Sequence, residues 1–119
     1  MSNDTRTPTL TDFLLARIAE DEGRAREAGA DAMVGARWKS YPREAYEELQ
    51  GETLAYCRRV LAVCEAHRRI VELHEPYRMA SLDYCSSCGD VPQVDYPCPT
   101  LRLLALPFAD HPDFREEWR

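Results

Sequence analysis

Three cysteines and one histidine carry the chemistry this sequence offers, in the arrangement His74-x₁₀-Cys85-x₂-Cys88-x₉-Cys98. A CxxC turn sets two sulfurs one metal-ligand span apart, and Gly89 behind it allows the positive-φ backbone such turns use. Cys98, between Pro97 and Pro99, stands where a helix would begin, and a thiolate at a helix N-terminus is favoured by the dipole. His74 closes a long helical stretch, from which an imidazole can reach a neighbouring loop. Together they form a Cys₃His set of the tetrahedral type that holds Zn²⁺ as a structural ion. His111, His67 and Cys64 are alternative fourth ligands. Cys64 and Cys57 read first as small buried hydrophobes.

Two other cysteine chemistries fit less well. An iron–sulfur cluster wants four cysteines and would have to recruit Cys57 or Cys64. A thioredoxin-like dithiol needs a βαβ setting around its CxxC, and no such pattern surrounds this one. The sequence contains no HExxH, P-loop or GxSxG, and its CxxC does not follow the HxE of the zinc deaminases. His74-Glu75, Asp110 and Asp113 read as loop and cap residues rather than acid–base groups. The expectation is therefore a non-enzymatic protein.

Helices must position these ligands. Thr11 is the expected N-cap of a first helix over Asp12 to Ala28, with Leu10, Leu14, Ile18 and Ala25 within about 80° of one another at helical period. Gly29 is its expected stop. The run Glu20-Asp21-Glu22 reads as a solvated helix face rather than a cation site, because consecutive residues point in different directions. Residues 29–41, with Trp38 and Tyr41, form a connector, and Pro42 suits the first turn of a second helix. Gly51 weakens that helix, but from Glu52 to His74 the signal is strong. Leu54, Cys57, Val60, Leu61, Cys64 and Val71 share an arc that Tyr56, Val63 and Ile70 widen. Arg58, Glu65, Arg69 and Glu72 form the opposite, solvated face. Pro76 ends the helix.

Residues 76–97 read as an irregular loop punctuated by Pro76, Gly89, Pro92 and Pro97, long enough to need a tie such as a metal. A third helix begins near Pro99-Thr100 and packs through Leu101, Leu104, Ala105 and Phe108. Pro107 divides it, and Asp110 is placed to cap a last turn from Pro112 to Trp118. The predicted fold is all-α: a helical hairpin, a zinc-pinned loop and a short kinked C-terminal helix. Residues 1–9 are expected to be a disordered lead-in and 10–119 a single helical zinc-binding domain.

The chain has 119 residues, with 21 acidic against 15 basic side chains and a formal charge of −6. An acidic surface does not attract phosphate backbones in bulk, so nucleic acid is a disfavoured partner. Neither a membrane span nor a secretory apolar run is visible, and a cytoplasmic location is the expectation.

Three segments resemble an uncharacterised family of small actinobacterial and actinophage proteins, a domain of unknown function. These are Phe13-Leu-x-Ala-Arg-Ile-x-Glu-Asp-Glu22, Arg68-Arg-Ile-Val-Glu-Leu-His74 and Pro97-Cys-Pro-Thr-Leu-Arg through Ala109-Asp-His-Pro-Asp-Phe-Arg-Glu-Glu-Trp118. Residues 29–50 and 77–96 look specific to this member. The resemblance supplies no catalytic residues. It implies that His74, the CxxC and the Pro-Cys-Pro-Thr element belong together, and that the gene travels with phages or mobile elements. The function expected is a zinc-stabilised interaction or adaptor module with a protein partner. A thiol or iron–sulfur redox sensor and a DNA-associated regulator using Arg58, Arg59, Arg68 and Arg69 are the alternatives.

Overall fold

The computed structural model describes residues 8–35, 43–88 and 95–119. Expectations for residues 1–7, Trp38, Tyr41, Pro42, Gly89 and Pro92 lie outside the described residues. The fold is mostly helical. Helix α1 spans Leu10–Gly35 and α2 spans Arg43–Leu73. A hairpin of β1 (Pro76–Met79) and β2 (Leu82–Cys85) follows, then α3 (Pro99–Ala105) and two 3-10 turns, Leu106–Phe108 and Glu116–Trp118. No helix among the described residues is long and apolar enough to cross a membrane.

Helix α1 starts two residues earlier than expected, at Leu10, and its cap is Thr9 rather than Thr11. The Asp12 N–H donates to Thr9 Oγ1 and the Thr9 N–H to Asp12 Oδ2, both at 3.1 Å. This is a reciprocal capping box, with aspartate in the role glutamate usually fills. Thr11 has a different partner. Its N–H donates to the Tyr96 hydroxyl at 2.9 Å, and its Oγ1 lies 2.6 Å from the same oxygen. One orphan amide of the first turn is thus satisfied from 85 residues away.

The helix also runs past Gly29, the expected stop, to Gly35. A glycine inside a helix costs only about 1 kcal/mol, and Ala28, Ala30 and Ala32 around it are strong helix formers. Leu10, Leu14, Ile18 and Ala25 are buried, as their spacing requires, and Phe13 and Arg17 join them. The acidic run is not uniformly solvated: Asp21 pairs with Arg24 at 3.1 Å, and Glu22 is buried.

The described residues form two compact units, one comprising the chain up to Arg17 together with His67–Arg119, the other Ile18–Ala66. In the second unit, α1 and α2 meet with opposed directions. Gln50 Nε2 donates to the Ala32 carbonyl at 3.1 Å, and a Cβ on Gly29 would lie 3.8 Å from Leu54 Cδ2. Cys57 and Cys64 are buried on the inner side of α2, whereas Tyr56 and Val63, expected to widen that arc, are exposed. Helix α2 continues through Gly51 without a break. Its Arg58, Glu65, Arg69 and Glu72 are exposed, as expected.

The first unit departs most from the expected all-α class. Residues 76–85, read as irregular loop, form an antiparallel hairpin pairing Pro76 with Cys85 and Met79 with Leu82. Ala80 and Ser81 occupy its two-residue turn with φ of 54° and 67°. Two successive positive φ values mark the type I′ turn that matches strand twist, here built without its usual Asn-Gly. Tyr84 bridges onward to Asp95.

The C-terminal tail folds back. Phe13 makes edge or tilted contacts with Phe108, Phe114 and Trp118 at centroid distances of 6.3, 6.0 and 5.1 Å. Trp118 and Leu101 are buried there. Pro107 divides the C-terminal helix into α3 and a 3-10 turn, as expected. The last helical turn is only Glu116–Trp118, and it starts from Arg115 rather than from an Asp110 cap.

Candidate metal centre

Three of the four candidate ligands are placed by the ends of different elements, and Cys88 by the turn that follows Cys85. Helix α2 closes at Leu73, and the next residue, His74, stays in the final turn through its N–H to the Val71 carbonyl, 3.1 Å. Its imidazole is thereby held beyond the last full helical turn. Cys85 is the last residue of β2, and the hairpin register fixes it opposite Pro76. The intervening serines bind the turn to the helix end. The Ser86 N–H donates to the Glu75 carbonyl at 2.9 Å, while the Ser86 and Ser87 hydroxyls both donate to the Leu73 carbonyl. A helix leaves its last carbonyls without partners, and these two hydroxyls supply one. Cys98 stands at the N-cap of α3 with Pro99 following, and its side chain makes no cap hydrogen bond, so the sulfur is not committed to the helix.

These placements bring His74, Cys85, Cys88 and Cys98 together, with their four ligand atoms all within 4.8 Å of one another. His74 Nδ1 lies 3.3 Å from Cys85 Sγ, 3.3 Å from Cys88 Sγ and 3.6 Å from Cys98 Sγ. A tetrahedral ion with ordinary Zn–S and Zn–N bonds separates nitrogen from sulfur by about 3.6 Å. The cluster is thus capable of coordinating a metal ion with little rearrangement. Cys85 and Cys98 are buried, and His74 and Cys88 half-buried.

Taken as thiols, the sulfurs do not titrate alike. Burial pushes Cys85 up, but a backbone hydrogen bond at Ser87 and contacts with His74, Cys88 and Cys98 outweigh it and bring the group to about 7. Burial pushes Cys88 up, and the adjacent Cys85 and Cys98 add to it, reaching about 12. One negative charge is accommodated and a second is resisted. A divalent cation eases that conflict, because its two positive charges offset two of the three negative charges that the gathered thiolates carry.

The other residues weighed as ligands are occupied elsewhere. His111 receives Arg17 Nη1, 2.8 Å from its Nδ1, and that nitrogen also accepts the Asp113 N–H at 3.0 Å. The tail does fold back, but it seats His111 against Phe13 and Arg17. Cys57 and Cys64 are buried along α2, His67 is half-buried there, and none of the three belongs to the ligand group. No cysteine is in a disulfide. Ser86, Ser87 and Tyr96 also serve the site region, and no sequence expectation attaches to them. The doubled serine inside the CxxC was the available signal for the first two.

The chain belongs to a family of unknown function (DUF6221), whose model matches residues 7–119 and so includes all four candidate ligands. No curated protein and no solved structure matches it.

Proposed function

We propose that His74, Cys85, Cys88 and Cys98 hold one structural Zn²⁺, and that the protein is a non-enzymatic, zinc-stabilised interaction module. The observation that carries this reading is the convergence of one nitrogen and three sulfurs from three elements, the end of α2, the end of the hairpin and the start of α3, within 4.8 Å. Three soft sulfurs and an imidazole without a carboxylate suit zinc, and four protein ligands leave no open position for water or substrate. The ion clamps the end of α2, the end of the hairpin and the start of α3 to one another, so its binding energy becomes folding energy.

The same reading makes the partner another protein and the setting the cytoplasm. On the strength of the sequence motifs, it puts the gene among actinobacteria and their phages. The test is thermal unfolding, followed by circular dichroism, of zinc-loaded protein against protein stripped by a strong chelator. Loss of cooperative unfolding on stripping, restored by zinc, supports the proposal. An unchanged melting curve overturns it.

A further inference from the structure

Helix α2 carries a second apolar stripe on a face the described chain leaves open. Leu49, Tyr56 and Val63 recur every seven residues and are 57%, 61% and 44% exposed. Side chains this apolar on a lone surface helix gain nothing from exposure, whereas a seven-residue repeat is the spacing by which one helix seams against another. Glu52, Arg59 and Ala66 occupy the alternate seam positions, three residues after each apolar one, and are also exposed. The Arg59 guanidinium lies over the Tyr56 ring, 5.7 Å from its centroid, so its charge is held on the stripe.

We propose that this stripe is a self-association surface on which a second copy of the chain packs antiparallel, crossing near Tyr56, with Glu52 of each copy paired to Arg59 of the other. The two charges select both the occupant and its direction. Glu52 lies four residues before Tyr56 and Arg59 three after it. A two-fold axis there brings each glutamate level with the other copy's arginine to within about 1.5 Å along the helix, twice over. Parallel packing would instead set glutamate against glutamate and arginine against arginine. The surface is thus its own complement, which a closed two-fold dimer requires. Ala66 at the seam's end lets the backbones approach. The stripe lies within Ile18–Ala66, apart from all four candidate metal ligands, so this proposal and the zinc reading stand or fall separately.

Sedimentation velocity of the full chain across a concentration series tests it. A dimer is expected, and Glu52→Arg and Arg59→Glu should each weaken it at least about tenfold, while the double exchange restores affinity to within about threefold of the parent. Tyr56→Glu should give monomer with unchanged helical circular dichroism. A chain that is monomeric throughout overturns the proposal. So does a dimer indifferent to Tyr56→Glu, or a double exchange no better than its single members.

Discussion

His74 and Cys85, eleven positions apart, meet with Nδ1 3.3 Å from Sγ, the imidazole from the end of a 31-residue helix and the sulfur from the end of a four-residue strand. Neither element places its ligand alone. The helix end is tied to the CxxC turn by the Ser86 and Ser87 hydroxyls on the Leu73 carbonyl, and the strand end is fixed by its register with β1. Coordination at this point would tie α2, the hairpin and α3 through one ion.

The first prediction separates ligand cysteines from packing cysteines. Cys85→Ser and Cys98→Ser should each lower the melting temperature by roughly 10 °C or more, because a lost structural metal removes several kcal/mol at about 4–8 °C per kcal/mol. Cys57→Ser, also buried, should cost only about 1–2 kcal/mol as a polar substitution in a packed stripe. Equal effects at all three positions would remove the distinction.

Zinc affinity should rise with pH. The metal binds thiolates, so it must displace every proton the sulfurs still hold. Cys88, at about 12, keeps its proton throughout the working range, and Cys85, at about 7, regains its own only as pH falls through that value. The rise should therefore be steeper below pH 7, where Cys85 also has a proton to give up, than above it. Competition with a chromophoric chelator between pH 6 and 8 measures this, and a flat profile would contradict it.

Tyr96→Phe should destabilise the fold by about 1 kcal/mol despite removing a single oxygen. The hydroxyl accepts the Thr11 N–H and contacts Thr11 Oγ1, so its loss leaves a part-buried helix-end donor without a partner. Chemical denaturation of the two proteins checks this, and a shift indistinguishable from zero would count against the contact.

Replacing Ala80-Ser81 by Asn-Gly should stabilise the protein by roughly 1 kcal/mol. Both residues sit at positive φ, which costs an alanine or serine more than it costs asparagine or glycine. A melting temperature raised by a few degrees is the expected result. A fall would mean that the turn is not as described.

These positions also show what was legible in the sequence. The candidate ligands could be singled out because CxxC spacing and prolines around Cys98 impose local geometry on the chain, and the four lie together. The inner stripe of α1 could be read because Leu10, Leu14, Ile18 and Ala25 repeat at helical period, and all are buried. The hairpin was hidden because Ala80-Ser81 carries none of the glycine or asparagine that announces a two-residue turn. The length of α1 is not legible because Gly29 resembles a stop, while the alanines beside it sustain the helix to Gly35. The tail's packing had no periodic signature. Phe108, Phe114 and Trp118 gather on Phe13 from irregular backbone, and that convergence is a tertiary fact.

Elemental analysis of the full-length protein, purified without added metal and accompanied by a visible absorption spectrum, tests the zinc centre most directly. The expected result is about one zinc per chain, no colour, and loss of the metal in Cys98→Ser. Iron with broad visible absorption, or protein that neither carries zinc nor takes it up stoichiometrically, would contradict it.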